Sequence, residues 1–154
     1  MRLALFQPDI PQNCGALLRL CACLGLEADI IEPCGFLLGD RRLKRAGLDY
    51  LDEARWHRHR SWEAYREGHR GRLVLLTTSA DQPYWDFRFR PDDTIMVGRE
   101  SAGVPEAEHR AVDARLVIPM RPGLRSLNVA QAAALVVGEA LRQTAGFPNP
   151  NRPA

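Results

Sequence analysis

Short apolar runs alternate along this chain with longer stretches of helical periodicity. Residues 2–6 are mostly apolar and end at Gln7-Pro8, which predicts a short buried strand. Ala16, Leu17, Leu20, Cys21 and Leu24 then recur at spacings of three and four. That pattern predicts an amphipathic helix with Asn13 as its N-cap and Gly25 as its stop. Asp29-Ile30-Ile31-Glu32 reads as a second strand, closed by Pro33 and Gly35. Residues 39–47 read as a short basic helix ending at Gly47, and Ser61 opens another with Glu63 in its first turn. Residues 73–78 begin with four apolar residues, so they predict a central parallel strand covered on both faces. Thr94-Ile95-Met96-Val97 and Leu116-Val117-Ile118 are further strands, separated from the third by a loop-rich stretch carrying Tyr84, Trp85, Phe87 and Phe89. A long alanine-rich helix from Ser126 to Thr144 closes the pattern at Gly146 and Pro148, and a frayed proline-rich tail is expected over 147–154.

Strands alternating with helices specify an α/β fold with a mostly parallel sheet flanked by helices. The 154 residues fit one domain, without repeats or a linker. Apolar residues make up 45% and charged residues 26%, which argues against a disordered chain. No apolar run reaches the roughly 20 residues of a membrane span. The N-terminal apolar stretch is too short for a signal peptide, so a cytoplasmic location is expected. Cys14, Cys21, Cys23 and Cys34 show no C-x-x-C spacing and read as reduced thiols, with Cys21 and Cys23 on opposite faces of the helix.

The net charge of +2 decides little, but its distribution is uneven. Between residues 41 and 60, Arg41, Arg42, Lys44, Arg45, Arg55, Arg58 and Arg60 face only Asp49, Asp52 and Glu53. Arginine's planar fork suits phosphate, so this segment is either a solvated face or a nucleic-acid surface.

In open parallel sheets, ligands sit beyond the carboxyl ends of the strands. Three glycine- and proline-rich loops begin there, after Leu76, Val97 and Ile118. Gly98-Arg99-Glu100-Ser101-Ala102-Gly103-Val104-Pro105 has the outline G-x-x-x-x-G. It carries Val-Pro where a phosphate loop needs Lys and Ser/Thr, and it is not G-x-G-x-x-G either. Its glycines serve a turn, a close ligand approach, or both. Arg121-Pro122-Gly123-Leu124-Arg125-Ser126-Leu127-Asn128 opens the last helix, where Ser126 or Asn128 can cap it. His57 and His59 lack a third ligand at metal spacing, so no metal is expected. G-x-S-x-G is absent, and no covalent nucleophile is marked.

Three segments taken together resemble the signature motifs of the SPOUT methyltransferases. They are Asn13-x-Gly15-x-x-x-Arg19, Gly98-x-Glu100-Ser101-x-Gly103-x-Pro105, and Ile118-Pro119-Met120 followed by Ser126-Leu127-Asn128. Gln7-Pro8-Asp9-Ile10-Pro11-Gln12-Asn13, Ile30-Ile31-Glu32-Pro33-x-Gly35-Phe36 and Arg45-Ala46-Gly47-Leu48-Asp49-Tyr50 are similar to the single-domain tRNA (cytidine/uridine-34) 2′-O-methyltransferases. The resemblance implies a trefoil knot within about residues 73–146, an exception to the rule that chains do not thread loops. It implies S-adenosyl-L-methionine as cofactor, a homodimer whose partner completes each site, and the tRNA anticodon stem-loop as substrate. By position, cofactor contacts fall on Leu76, Gly98, Ile118, Ser126 and Leu127, and the catalytic set on Asn13, Arg19, Glu100, Ser126 and Asn128. Arg41, Arg42, Lys44 and Arg45 become candidate tRNA contacts. Ala102 departs from the basic residue of many relatives, and Cys14 from a common Thr. Two alternatives stay open: a member of the class acting on another tRNA position or on rRNA, and a non-catalytic RNA-binding module.

Overall fold

The computed structural model describes residues 1–39, 45 and 50–149. Six parallel strands form one sheet: β1 (Arg2–Phe6), β2 (Glu27–Ile31), β3 (Arg55–His59), β4 (Leu73–Leu76), β5 (Thr94–Val97) and β6 (Ala114–Leu116). Their spatial order is β3-β2-β1-β5-β4-β6. Among the described residues, the helices are α1 (Pro11–Leu24), α2 (Tyr50–Glu53), α3 (Trp62–Gly68), α4 (Glu106–Arg110) and α5 (Val129–Gln143), with a 3₁₀ turn at Tyr84–Asp86.

Residue alternation divides the core between two faces. Leu3, Leu5, Val74, Ile95 and Val97 point to one face, where they meet Leu17, Leu18 and Cys21 of α1 and Ala133, Val136, Val137 and Ala140 of α5. Ala4, Phe6, Leu73, Leu75 and Met96 point to the other, beneath Tyr65 and Trp62 of α3. β1, β4 and β5 are therefore covered on both sides, as the apolar run at the start of residues 73–78 predicts for β4. Burying each large side chain contributes about 1.5–3 kcal/mol.

The structure adjusts several sequence expectations. Asn13 is not the N-cap of α1: Ile10 holds that position without a side-chain bond, and a proline opens the helix. Proline at the first helical turn sacrifices only an N–H that would be unpaired anyway, and the Asn13 N–H closes onto the Ile10 carbonyl at 3.1 Å. Gly25 does end α1, in the left-handed region at φ 69°. The last helix starts at Val129 rather than Ser126, with Asn128 as its cap. β3 and α4 have no counterpart in the sequence pattern. β3 is an edge strand with polar residues on both faces. Its Arg58 donates to Glu32 at 2.6 and 2.9 Å, and His59 Nε2 lies 2.7 Å from the buried Asp29 carboxylate. Arg58, counted in the basic segment, is thus already paired within the sheet. The expected basic helix at 39–47 lies, except for residues 39 and 45, outside the described residues, as do Arg41, Arg42 and Lys44. Arg45 is exposed. Cys21 is buried, Cys23 is exposed, and all four cysteines are free thiols.

Candidate active site

Because the sheet is wholly parallel, the carboxyl ends of β1, β5, β4 and β6 share one rim. The chain leaves β1 through Gln7, whose backbone is left-handed at φ 47°, and turns through Pro8 and Asp9 into α1. It leaves β5 directly into Gly98. A Cβ on Gly98 would stand 2.9 Å from Val104 Cγ2 and 3.0 Å from the Gly103 carbonyl carbon. The 98–103 loop folds back on itself, with Gly103 N–H donating to the Arg99 carbonyl at 2.8 Å and Gly103 itself at φ 65°. Both glycines are required, one by proximity and one by conformation. From β6 the chain passes Ile118, Pro119 and Met120 and runs exposed to Asn128.

These turns enclose a cavity of about 560 Å³. Leu75, Leu76, Val97 and Ile118 supply apolar wall, and Thr77, Thr78, Glu100, Arg125, Ser126 and Asn128 supply polar groups. The cavity brings together every sequence-nominated cofactor residue: Leu76, Gly98, Ile118, Ser126 and Leu127. It also brings together Asn13, Glu100, Ser126 and Asn128 from the nominated catalytic set.

A side-chain relay ties the three motifs together. Asn13 Nδ2 donates to Glu100 Oε1 at 3.0 Å, and Asn128 Nδ2 donates to Asn13 Oδ1 at 2.9 Å. Asn128 Oδ1 then accepts from Ala130 N–H at 2.9 Å and Gln131 N–H at 3.4 Å, capping α5. Asn13 can serve the relay because it is free of the capping role. Behind Glu100 stands Asp9, which sequence reasoning passes over as a turn residue. The hydrogen bond with Glu100 holds the Asp9 carboxyl down at about 2, against desolvation and with help from Ser101. Desolvation first, and Asp9 second, push Glu100 above its ordinary range. The pair therefore gives up its last proton from Glu100.

Arg19 is placed elsewhere. It is exposed on α1, with its guanidinium carbon 4.8 Å from the centre of the Tyr50 ring. Six residues along a helix advance about 9 Å and rotate about 240° from Asn13. Among the described residues, no group of three or more His, Cys, Asp or Glu could hold a metal ion. No helix among them is long and apolar enough to cross a membrane.

The stretch that carries these three glycine- and asparagine-bearing turns matches a known family, SpoU rRNA Methylase, over residues 1–138. The chain belongs to the SpoU methylase family. A relative from Beijerinckia indica, tRNA (cytidine(34)-2′-O)-methyltransferase, is 66% identical over 145 residues, covering 92% of this chain and 90% of its own. The protein of the same description from Escherichia coli K12 is 39% identical over 151 residues, 96% of each chain. Among solved structures, one described as structural insights into the 2-OH methylation of C/U34 on tRNA superposes with a TM-score of 0.87 at 39% identity. It covers 92% of this chain and 89% of its own. The SpoU methyltransferase AviRb from Streptomyces viridochromogenes, in complex with the cofactor AdoMet, gives 0.80 at 28% identity. It covers 93% of this chain and 60% of its own.

Proposed function

We propose that this SpoU-family chain transfers a methyl group from S-adenosyl-L-methionine to the ribose 2′-hydroxyl of the wobble nucleotide, position 34, in tRNA. The observation that carries this reading is the Asn128–Asn13–Glu100 relay along one rim cavity, where all three motifs meet. The similarity to the C/U34 structure and to the cytidine-34 enzymes supports the substrate.

The cavity fits such a cofactor. Its volume lies within the roughly 300–1,000 Å³ of small-molecule sites, and its wall sets apolar side chains beside several convergent polar groups. Leu76, Gly98, Ile118, Ser126 and Leu127 would hold the cofactor, and the close packing of Gly98 on Gly103 and Val104 fixes the loop backbone along the cavity. When bound, S-adenosyl-L-methionine supplies an activated methyl on a sulfonium leaving group.

The chain's own residues then position the acceptor and handle its proton. Glu100 accepts hydrogen bonds from Asn13 and from the Asp9 N–H, so it orders the loop rather than serving as a free base. Arg19 offers a guanidinium, a permanently charged group that is not suited to act as a base either. We assign it to gripping a substrate phosphate, for which its fork is suited. Arg19 lies off this cavity wall, which favours a homodimer in which each Arg19 serves the partner's cavity. Gln12, Ala16, Arg19 and Cys23 form an exposed stripe on α1, and Leu135 is 48% exposed on the neighbouring α5. Both are consistent with such a contact. The β5-to-β6 crossover past β4, followed by the return of α5 to α1, supports a trefoil knot within residues 73–146 of a single domain. Arg41, Arg42, Lys44 and Arg45 remain the proposed tRNA contacts, and a cytoplasmic location follows from the substrate.

The deciding experiment incubates the purified protein with labelled S-adenosyl-L-methionine and unmodified tRNA, then maps methylated nucleosides by mass spectrometry. Ribose methylation at position 34 is expected. Label confined to another position or to rRNA, or no transfer at all, overturns the reading. Sedimentation equilibrium tests the dimer.

A further inference from the structure

Asp9 sits in the turn between β1 and α1, 91 residues from Glu100 in sequence, yet the two are joined in both directions. The Asp9 N–H donates to Glu100 Oε2 at 3.2 Å, and the Glu100 N–H donates to Asp9 Oδ1 at 3.1 Å. Asp9 Oδ2 also accepts from the Ser101 N–H at 3.2 Å and from the Ser101 hydroxyl. One carboxylate thus engages both consecutive N–H groups in the middle of the 98–103 loop. Its own position is fixed from behind. Gly35 N–H donates to the Pro8 carbonyl at 3.0 Å, and a Cβ at Gly35 would stand 2.8 Å from Asp9 Cα. The left-handed Gln7 two residues earlier is held by its N–H to the Ile31 carbonyl at 2.8 Å. A non-glycine residue in that region persists only where its surroundings over-determine it.

We infer that Asp9 is a positioning residue of the methyl-transfer site, bracketing the 98–103 loop so that Glu100 presents its outer oxygen to Asn13. This rests on the function proposed above. Asp9 lies behind Glu100 and is assigned no contact with donor or acceptor. Its effect runs through Glu100 and Asn13 to Asn128 and the start of α5. It also places two carboxylates side by side, so the charge of Asp9 keeps the proton on Glu100 to higher pH. Among the described residues, the Cys14 thiol of α1 lies near Glu100 and is kept protonated by burial, and Arg99 and Arg125 line the same cavity as Glu100.

The test compares wild type with Asp9→Asn and Asp9→Glu in single-turnover methylation of tRNA across pH, with thermal melting as a folding control. Asp9→Asn keeps the size but gives up one of the two acceptor oxygens and the charge. We expect a loss on the order of 10- to 100-fold in turnover, the scale at which small misplacements of a site act. KM for tRNA stays nearly unchanged, and the ionisation of Glu100 moves to lower pH. Asp9→Glu retains charge and both oxygens on a longer arm and recovers most of the rate. Undiminished turnover in Asp9→Asn, or a loss equal at every pH with no displaced ionisation, overturns the inference. A wild-type protein that leaves tRNA unmethylated overturns the proposed function instead.

Discussion

Asn128 performs two tasks with one amide, and substitution separates them. Its oxygen caps α5, and its nitrogen holds Asn13. Asn128→Ala removes both. Loss of an N-cap costs about 1 kcal/mol. The freed Asn13 oxygen is only half-buried and regains water, which limits that part to about 0.5–1 kcal/mol. The sum is about 1.5–2 kcal/mol, or a fall in Tm of about 3–8 °C for a chain of this size. Asn128→Ser restores the cap, so about 1 kcal/mol should return, but a serine has no amide to reach Asn13. It should therefore melt close to wild type and still methylate tRNA poorly, by about tenfold or more. The assay is scanning calorimetry paired with single-turnover methylation on the same preparations. If Asn128→Ser melts as low as Asn128→Ala, the cap is not what stabilises α5. If Asn128→Ser turns over at the wild-type rate, the relay does not organise the site.

Three further outcomes are expected. Gly98→Ala drives a Cβ into Val104 and the Gly103 backbone, which costs about 1–3 kcal/mol of overpacking and opens the loop. Calorimetric affinity for S-adenosylhomocysteine should drop at least tenfold, and unchanged affinity would remove Gly98 from the cavity wall. Arg19→Ala should abolish turnover while leaving cofactor affinity intact. Mixing it with Gly98→Ala, at a donor concentration too low for that variant alone, should restore activity through hybrid dimers, whereas no recovery would place Arg19 in its own chain's site. Burial lowers the pKa of His69 in the folded chain below its ordinary 6.5, so the unfolded chain takes up that proton first as pH falls. Stability from His69 is thus full above that value and declines below it, so the urea midpoint should fall as the pH drops through 6.5. His69→Gln should flatten that dependence, and an identical slope in the variant would reject the assignment.

The strands placed best by the sequence are those buried on both faces, whereas the edge strand β6 falls at Ala114–Leu116, two residues before the apolar run 116–118 that predicts it. A continuous apolar run such as residues 73–76 is too short for a helix and too apolar for a surface loop, which leaves a covered strand. β3 escapes notice because Arg-Trp-His-Arg-His carries an edge strand's polar surface, and its partners Asp29 and Glu32 belong to a different segment of the chain. Asn13 invites a capping role by its residue type, but Pro11 opens the helix two positions earlier and releases the side chain. The cavity residues are marked by motif, and the shared rim of the parallel sheet is the reason distant motifs can converge. Asp9 is invisible for the converse reason. Nothing local distinguishes an aspartate in a proline-rich turn from one that engages a loop 91 residues away. Arg19 is marked along with the rest of its motif, but chain order alone cannot tell that α1 turns it to a different side.

The relay also sets a schedule for synthesis. Asn13 leaves the ribosome early, Glu100 much later, and Asn128 only when most of the chain has been made. The nascent protein can pair β1 with β2 long before it has anywhere to bind a methyl donor. A chain that stops before residue 128 lacks both the cap of α5 and the donor to Asn13, so it cannot close the relay. The first helix waits for the last before its asparagine is held from both sides.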